Sequence, residues 1–249
     1  MVEPTAIRHF SEIDSTNSEC LRLAGSDCEL PLWVLADYQT NGRGRLSRSW
    51  LGQKGNLYAS GLYSFTAPPA KLAELGFAAA LAVIDTIAPF VANEQLSLKW
   101  PNDVLINGAK LCGILLESHA SKQQGQNILV IGIGINLSHA PKIQDRKTVC
   151  LADFSKAEQP VKPQDLLPGL IENFEKRVKL WQEQGFAPLR QAWLANCHGL
   201  GETIRTSQGQ IGIFEDMLQN GALLLRKTDG KAIEISAGEI FLSGQEEQS

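Results

Sequence analysis

The sequence lacks the features that mark secreted, membrane-spanning and metal-binding proteins. Its five cysteines are odd in number, widely spaced and without a Cys-x-x-Cys pair, which argues against disulfides and zinc and favours reduced thiols in a cytosol. Its four histidines show no metal-ligand spacing. The first ten residues carry an acid and no apolar core, and the longest apolar runs, 77–84 and 128–135, are far shorter than the roughly 20 residues of a membrane span. We therefore expect a soluble, cytoplasmic protein that does not associate with membranes.

Strong positive charge and the common nucleotide motifs are also absent. The net charge is −4, with 23 basic and 27 acidic residues, so general nucleic-acid binding is not predicted. The chain contains no Gly-x-x-x-x-Gly-Lys-[Ser/Thr] phosphate loop, no complete dinucleotide fingerprint and no Gly-x-Ser-x-Gly nucleophile elbow. Any anion site must be a local feature, and covalent catalysis by serine or cysteine is not expected.

What is present is an ordinary globular composition with a two-part pattern. The chain has 249 residues, of which 43% are hydrophobic and 20% charged, and at about 150 residues per domain its length suggests one large and one small domain. Hydrophobic periodicity and end signals predict helices at 14–25, 70–89, 163–184 and 186–196. Strands are predicted at 32–36, 56–63, 97–100, 103–106, 109–117 and 128–137.

The pattern changes after Gly199. Turn signals recur about every ten residues, at 207–209, 219–221, 228–230 and 237–238, without a helical period. This spacing is typical of a small all-β unit. We place the boundary near residue 198, with one domain at 1–198 and a second at 199–249.

The loop at 41–48 concentrates positive charge in an acidic chain. Arg43, Arg45 and Arg48 lie within six residues, and Gly42 and Gly44 let backbone N–H groups approach a ligand. Guanidinium groups bind phosphates and carboxylates in bidentate fashion, and such backbone nests add donors. A solvated turn is equally compatible with the spacing.

The segment 99–112 reads as a hairpin around Asn107-Gly108. A two-residue type I′ turn would set Asp103 opposite Cys112 and place Asp103 and Lys110 on one side, roughly 7 to 8 Å apart before their side chains extend. Lys110 could then lie beside an anion while Asp103 orients it or holds a metal ion. An exposed ion pair is the alternative, and spacing alone favours it.

The segment 128–137 alternates between bare backbone and bulky side chains. A period of two places Gly132, Gly134 and Asn136 on one face and three isoleucines on the other. Glycines weaken a strand, so a closely packed ligand or backbone is expected on their side, with packing against a helix as the alternative.

Several polar and aromatic residues allow two interpretations. Ser15, Thr16 and Asn17 could cap a helix or recognise a urea or amide group, and the same holds for Gln39 beside a buried strand. Trp50 could belong to the core or stack on a ligand.

Taken in order, five motifs resemble those of the biotin protein ligases. They are Asp14-Ser-Thr-Asn17, Tyr38-Gln39 with Gly42-Arg-Gly-Arg45, Lys99-Trp-Pro-Asn-Asp103, Lys110-Leu-Cys-Gly-Ile-Leu-Leu-Glu117 and Gly132-Ile-Gly-Ile-Asn136. The resemblance spans almost the whole chain, since 221–225 and 238–240 are similar to the family's small SH3-like domain. Lipoate and octanoyl transferases share the catalytic fold.

The resemblance implies an α+β fold, in which a mixed sheet carries packed helices as in class II synthetases, plus a small C-terminal SH3-like β-barrel. It implies a ligase that converts biotin and ATP, with Mg²⁺, into biotinyl-5′-AMP and then transfers biotin to a lysine of a carboxylase biotin carrier domain. A homodimer is left open. The alternatives are a lipoate- or octanoate-type acyl ligase or transferase and a non-catalytic biotin-sensing module.

The resemblance also implies residue roles. Lys110, Arg45 and Asp103 are the expected catalytic residues, and Asp103 is also the candidate metal ligand. Biotin contacts are expected from Ser15, Thr16, Asn17, Gln39, Arg43, Gly44, Arg45, Lys110, Gly113, Gly132 and Gly134. Adenylate contacts are expected from Arg43, Arg45, Trp50, Lys110 and Asn136.

Two features depart from the family pattern. Leu46 and Ser47 follow Arg45 where the family often has Arg-Gly, so the end of the loop could contact the adenylate differently. Thirteen residues precede Asp14, too few for the winged helix of bifunctional members, so DNA binding is not expected.

Overall fold

The computed structural model describes residues 5–26, 28–50, 52–91, 95–121, 123–143, 147–155 and 159–242. The helices in these ranges are α1 (Thr16–Ala24), α2 (Pro69–Leu72), α3 (Leu75–Ile87), α4 (Pro163–Gln184) and α5 (Ala187–Ala195). The strands of the first sheet are β1 (Ala6–Phe10), β2 (Leu32–Ala36), β3 (Leu57–Phe65), β4 (Leu96–Lys99), β5 (Asp103–Ile106), β6 (Ala109–Ala120) and β7 (Asn127–Ile135). Those of the second are β8 (Thr203–Thr206), β9 (Ile211–Met217), β10 (Leu223–Arg226), β11 (Ala232–Ile235) and β12 (Ile240–Leu242).

The first sheet has the strand order β1-β2-β3-β7-β6-β5-β4. β1 pairs with β2 in parallel and the other pairs are antiparallel, so the sheet is mixed, as expected. β1 was not predicted, because most of its side chains are exposed and its sequence carries little hydrophobic pattern. The six strands that were predicted, β2 to β7, are confirmed, and their predicted ends lie within three residues of the observed ends.

Alternation along the strands gives this sheet two different faces. Trp33 and Ile133 belong to the main core with α3 and α4, whereas Val34 and Val130 pack against Cys20 and Leu23 of α1. Adjacent side chains of one strand therefore point to opposite faces of the sheet and pack in different layers. The single helix α1 leaves part of its face of the sheet open for the cavity described below.

The helix predicted at 70–89 is divided in two. Glu74 and Gly76 donate their backbone N–H groups to residues three positions back, so the chain tightens between α2 and α3. The segment Pro69–Phe90 is long and apolar enough to cross a membrane by composition, but 67% of its apolar 18-residue window is buried inside the protein. This burial is the arrangement of a core helix.

The predicted register of the β5–β6 hairpin is wrong by one residue at Asp103. Asn107 and Gly108 both have positive φ, as a type I′ turn requires, but Asp103 pairs with Gly113 and not with Cys112. The register shifts next to Val104, so β6 contains one extra residue, as in a β-bulge. The bulge places Gly113 on the same side as Lys110 and turns Cys112 into the core.

The second sheet is antiparallel, with the order β11-β10-β9-β8-β12, and corresponds to the predicted small β unit. Positive φ angles at Gly209, Gly221, Gly230 and Gly238 occur in all four predicted turns. Trp100 donates its indole N–H to the Gly221 carbonyl at 3.0 Å, which joins this unit to the first sheet. The domain division at residue 198 stays a prediction.

Candidate active site

A cavity of about 660 Å³ opens on the α1 side of the first sheet. It is bounded by the start of α1, the segment 42–50 and the second sheet. Every residue that the sequence nominated for the site lines it, although their individual roles stay predictions. They are Ser15, Thr16, Asn17, Gln39, Arg43, Gly44, Arg45, Trp50, Asp103, Lys110, Gly113, Gly132, Gly134 and Asn136.

The floor of the cavity consists of glycines from β6 and β7. A Cβ atom at Gly132 would lie 2.2 Å from Asn17 Oδ1, and one at Gly134 would lie 2.6 Å from the Trp50 ring. Both distances are shorter than real contacts, so the two positions have no room for a side chain. The neighbours that require these glycines are thus a polar side chain of α1 and the Trp50 indole.

Polar side chains form a closed network at one end of the cavity. Thr16 donates to Gln39 Oε1 through its backbone N–H at 2.7 Å and its hydroxyl at 3.1 Å. Ser60 Oγ lies 2.7 Å from Thr16 Oγ1 and 2.5 Å from Asn17 Oδ1. These side chains are buried. Because Gln39 Oε1 accepts the two Thr16 bonds, its Nε2 group is the donor that remains for a ligand carbonyl.

Ser15 caps a helix and also lies at the cavity, so it fits both of the roles that its motif allowed. It is the N-cap of α1 and accepts from the Ser18 N–H at 3.5 Å, and it also lines the cavity. The cap brings the N-terminus of α1, with its positive end of the helix dipole, to the cavity wall.

Arg45 and Arg48 from the segment 42–50 lie at the opposite end, and Arg43 lies between them and the polar network, because it shares the Glu117 carboxylate with Asn17. Arg45 donates to Asn102 Oδ1 at 2.9 Å and Arg48 forms an ion pair with Glu239. Arg43 forms an ion pair with Glu117 at 2.6 Å, and its buried Nε has no hydrogen-bond partner in the structure. Burial lowers the pKa of the Arg45 guanidinium, and the nearby Asp103 and Glu239 carboxylates oppose this effect.

Lys110 and Asp103 meet despite the shifted register. Lys110 Nζ lies 2.5 Å from Asp103 Oδ1, and the two side chains are only 13% and 14% exposed. The exposed ion pair that the spacing favoured is therefore not what the structure shows. Lys110 Nζ also lies 5.4 Å from the centre of the Trp50 ring, within range of a cation–π interaction. Burial raises the pKa of the neighbouring Cys112 thiol, which keeps it protonated and unreactive.

The end of the arginine loop has an unusual backbone. Leu46 and Ser47 have φ angles of 55° and 59°, and the Leu46 side chain is 65% exposed. Residues other than glycine rarely adopt this left-handed conformation. The departure from the family pattern thus coincides with strained backbone between Arg45 and Arg48, which both line the cavity.

Sequence reasoning missed several residues of the site. Tyr58, Thr148 and Phe241 line the cavity without a local signal that would have pointed to them. Other missed residues lay within recognised motifs but received no role. They are Asn102 and Glu239, which line the cavity, and Glu117, which contacts Arg43 and Asn17.

Among the described residues, no group of three or more His, Cys, Asp or Glu side chains could hold a metal ion. Carboxylates in the cavity lining come from Asp103 and Glu239, and each has a basic partner. Mg²⁺ commonly binds through one or two carboxylates together with water and substrate phosphates. Asp103 suits this arrangement as a single ligand, and a cage made only of these protein side chains does not.

Comparisons with known proteins agree with this geometry. The model of the biotin/lipoate A/B protein ligase family matches residues 10–136. The chain is 38% identical to the biotin–[acetyl-CoA-carboxylase] ligase of Paracoccus denitrificans, over 94% of this chain and 100% of that protein. It is 31% identical to the Mycobacterium tuberculosis enzyme of the same name, over 92% and 86%.

Solved structures show the same fold. A biotin protein ligase from Aquifex aeolicus in complex with biotin and ATP is 27% identical, with a TM-score of 0.77 over 96% of this chain and 98% of that one. The chain therefore belongs to the biotin/lipoate A/B protein ligase family.

Proposed function

We propose that this protein is a biotin–[acetyl-CoA-carboxylase] ligase, which activates biotin as biotinyl-5′-AMP and transfers it to a protein lysine. Two relatives that match nearly the whole chain carry this activity in their names. The observation that carries the proposal is a single cavity in which a buried polar network faces three arginines and Lys110 across a glycine floor. This combination suits a ligand with a neutral ring at one end and reacting anions at the other.

The first step joins two anions. A carboxylate oxygen of biotin attacks the α-phosphorus of ATP, the bond from that phosphorus to the bridging oxygen breaks, and pyrophosphate leaves. Lys110, Arg43 and Arg45 place positive charge where these oxygens crowd together. Removing one such preorganised donor typically slows a reaction about 100- to 1,000-fold.

The polar network is proposed to hold the biotin ring. The Nε2 group of Gln39 can donate to the ureido carbonyl, while Asn17 and Thr16 lie beside it in fixed orientations. Gly132 and Gly134 would face the biotin chain, although Trp50 lies against Gly134 in this structure. Trp50 and Asn136 are the proposed contacts of the adenine.

Mg²⁺ would offset the charge of the triphosphate when it is bound. Asp103 would supply one oxygen toward it and orients Lys110 through the 2.5 Å contact.

The second step transfers the biotinyl group. The amine of an acceptor lysine attacks the carbonyl carbon of the adenylate, the bond to the phosphate oxygen breaks, AMP leaves, and the amine loses its proton to solvent. We expect the acceptor to be the carrier domain of a biotin-dependent carboxylase. All five cysteines are free thiols, which supports a reducing compartment such as the cytoplasm.

Biotin-dependent exchange of pyrophosphate into ATP tests the proposal. Purified protein should catalyse exchange with biotin and Mg²⁺, and lipoate offered in parallel should give little or none. Pyrophosphate exchange that occurs with lipoate but not with biotin would support the acyl-ligase alternative. Binding of biotin without any pyrophosphate exchange would support the sensing module. The Lys110→Ala protein is the matched control, since its fold should be retained while exchange is lost.

A further inference from the structure

We propose that Glu117 is a positioning residue, which acts through Arg43 and Asn17 and joins the arginine loop to the polar network. Its effect on biotin binding rests on the proposed function, whereas its effect on the loop does not. Glu117 is not among the residues that line the cavity, so we expect it to act on a ligand through its neighbours and not by direct contact.

The geometry brings two side chains to one carboxylate oxygen. Glu117 Oε2 accepts from Arg43 Nη2 at 2.6 Å and from Asn17 Nδ2 at 2.8 Å. Arg43 and Asn17 come from the loop and from α1, and lie 74 and 100 residues from Glu117 in sequence. The Glu117 side chain is 22% exposed, so both hydrogen bonds are partly shielded from water.

The contact sets the direction of the amide of Asn17. Because Nδ2 donates to Glu117, Oδ1 points to Ser60, which lies 2.5 Å away, and over Gly132. A reversed amide would place Oδ1 against the carboxylate, where two acceptors repel each other. Glu117 thereby determines which polar atoms the network presents to the cavity.

The same contact anchors the beginning of the arginine loop. Trp50 donates its backbone N–H to the Gly42 carbonyl at 2.9 Å, so the two ends of the loop are tied together. Arg45 and Arg48 hold the far side of the loop at Asn102 and Glu239. Arg43 holds the near side at β6, which leaves its buried Nε in place as a donor for a ligand anion.

Glu117→Gln tests the role, since it keeps the size of the side chain and removes its charge. We expect trypsin to cut the substrate-free protein after Arg45 or Arg48 about tenfold faster, because a charge-assisted hydrogen bond is lost. The Michaelis constant for biotin should rise about tenfold, which is more than that for ATP, because Glu117 orients Asn17 at the biotin end as well as Arg43. Glu172→Gln, which removes an exposed ion pair on α4, is the matched control and should behave like the wild type.

A double variant separates positioning from general destabilisation. If Glu117 acts through Arg43, adding Glu117→Gln to Arg43→Gln should increase loop cleavage little beyond the single change. Fully additive effects, an unchanged cleavage rate, or equal rises of both Michaelis constants would overturn the proposal. Cleavage is measured without substrates, so it decides the role in the loop even if the wild type shows no biotin-dependent exchange. In that case the proposed function fails and the anchoring contact is still tested.

Discussion

The two ends of the cavity are built in different ways. Thr16, Asn17 and Ser60 are buried on regular elements, and Ser60 lies within hydrogen-bonding distance of the other two, whereas Arg45 and Arg48 lie on an irregular loop and bind Asn102 and Glu239 far away in sequence. A buried neutral group left without a partner costs about 1 to 3 kcal/mol, so the mutual hydrogen bonds of the network stabilise this end before a ligand arrives. Partly exposed ion pairs contribute about 1 kcal/mol or less, so Arg48 can exchange Glu239 for a ligand anion.

The largest effect should follow removal of charge at the reaction centre. Lys110→Ala should slow single-turnover adenylate formation about 100- to 1,000-fold, because a preorganised cation is lost. The cavity lets water reach Asp103, so unfolding free energy should change much less than the rate. Lys179→Ala, on an exposed part of α4, is the control. Unchanged adenylation in Lys110→Ala would remove Lys110 from the mechanism.

Two glycine substitutions compare the ends directly. Gly132→Ala places a methyl group against Asn17, which two hydrogen bonds hold, and should cost about 1 to 3 kcal/mol of unfolding free energy. Gly134→Ala meets Trp50 of the loop, which can shift, and should cost less than about 1 kcal/mol. Urea denaturation of both proteins measures the difference, and equal costs would mean that the loop is as rigid as the network.

Within the polar network, Thr16→Val removes a hydroxyl at nearly constant volume. Gln39 Oε1 loses one donor and Ser60 loses one neighbour, so we expect a loss of about 1 to 2 kcal/mol in urea denaturation. Ser18→Ala, two residues further along α1 and half-buried, provides the comparison. If Thr16→Val left the unfolding free energy unchanged, water would be replacing the hydroxyl and the network would not be closed.

The smallest effect is expected at the mouth of the cavity. Leu46→Ala and Leu46→Gly both remove an exposed side chain, but only glycine adopts positive φ without strain. The glycine protein should be more stable than the alanine protein by about 1 kcal/mol, measured by thermal unfolding. The opposite order would indicate that this left-handed conformation is absent in solution.

The hairpin at 103–117 shows how far sequence reasoning reaches. The type I′ turn and the proximity of Lys110 to Asp103 follow from Asn107-Gly108 and the strand period, and the structure contains both. The bulge was not foreseen, because it arises where β6 must pair with β5 and β7 at once. Since side chains alternate, that single extra residue decides that Gly113, not Cys112, lies in the cavity with Lys110.

The sequence by itself determined the order of most elements, the glycine face of β7 and many of the residues that line the cavity, because periodicity, turns and motifs are local signals. Only the tertiary structure decided how those residues are held. The partners of the arginines, Glu117 and Glu239, lie 74 and 191 residues away in sequence, so no local pattern records these contacts. The packing of α1 and of the second sheet around the first brings them together, and with them the difference between the two ends of the cavity.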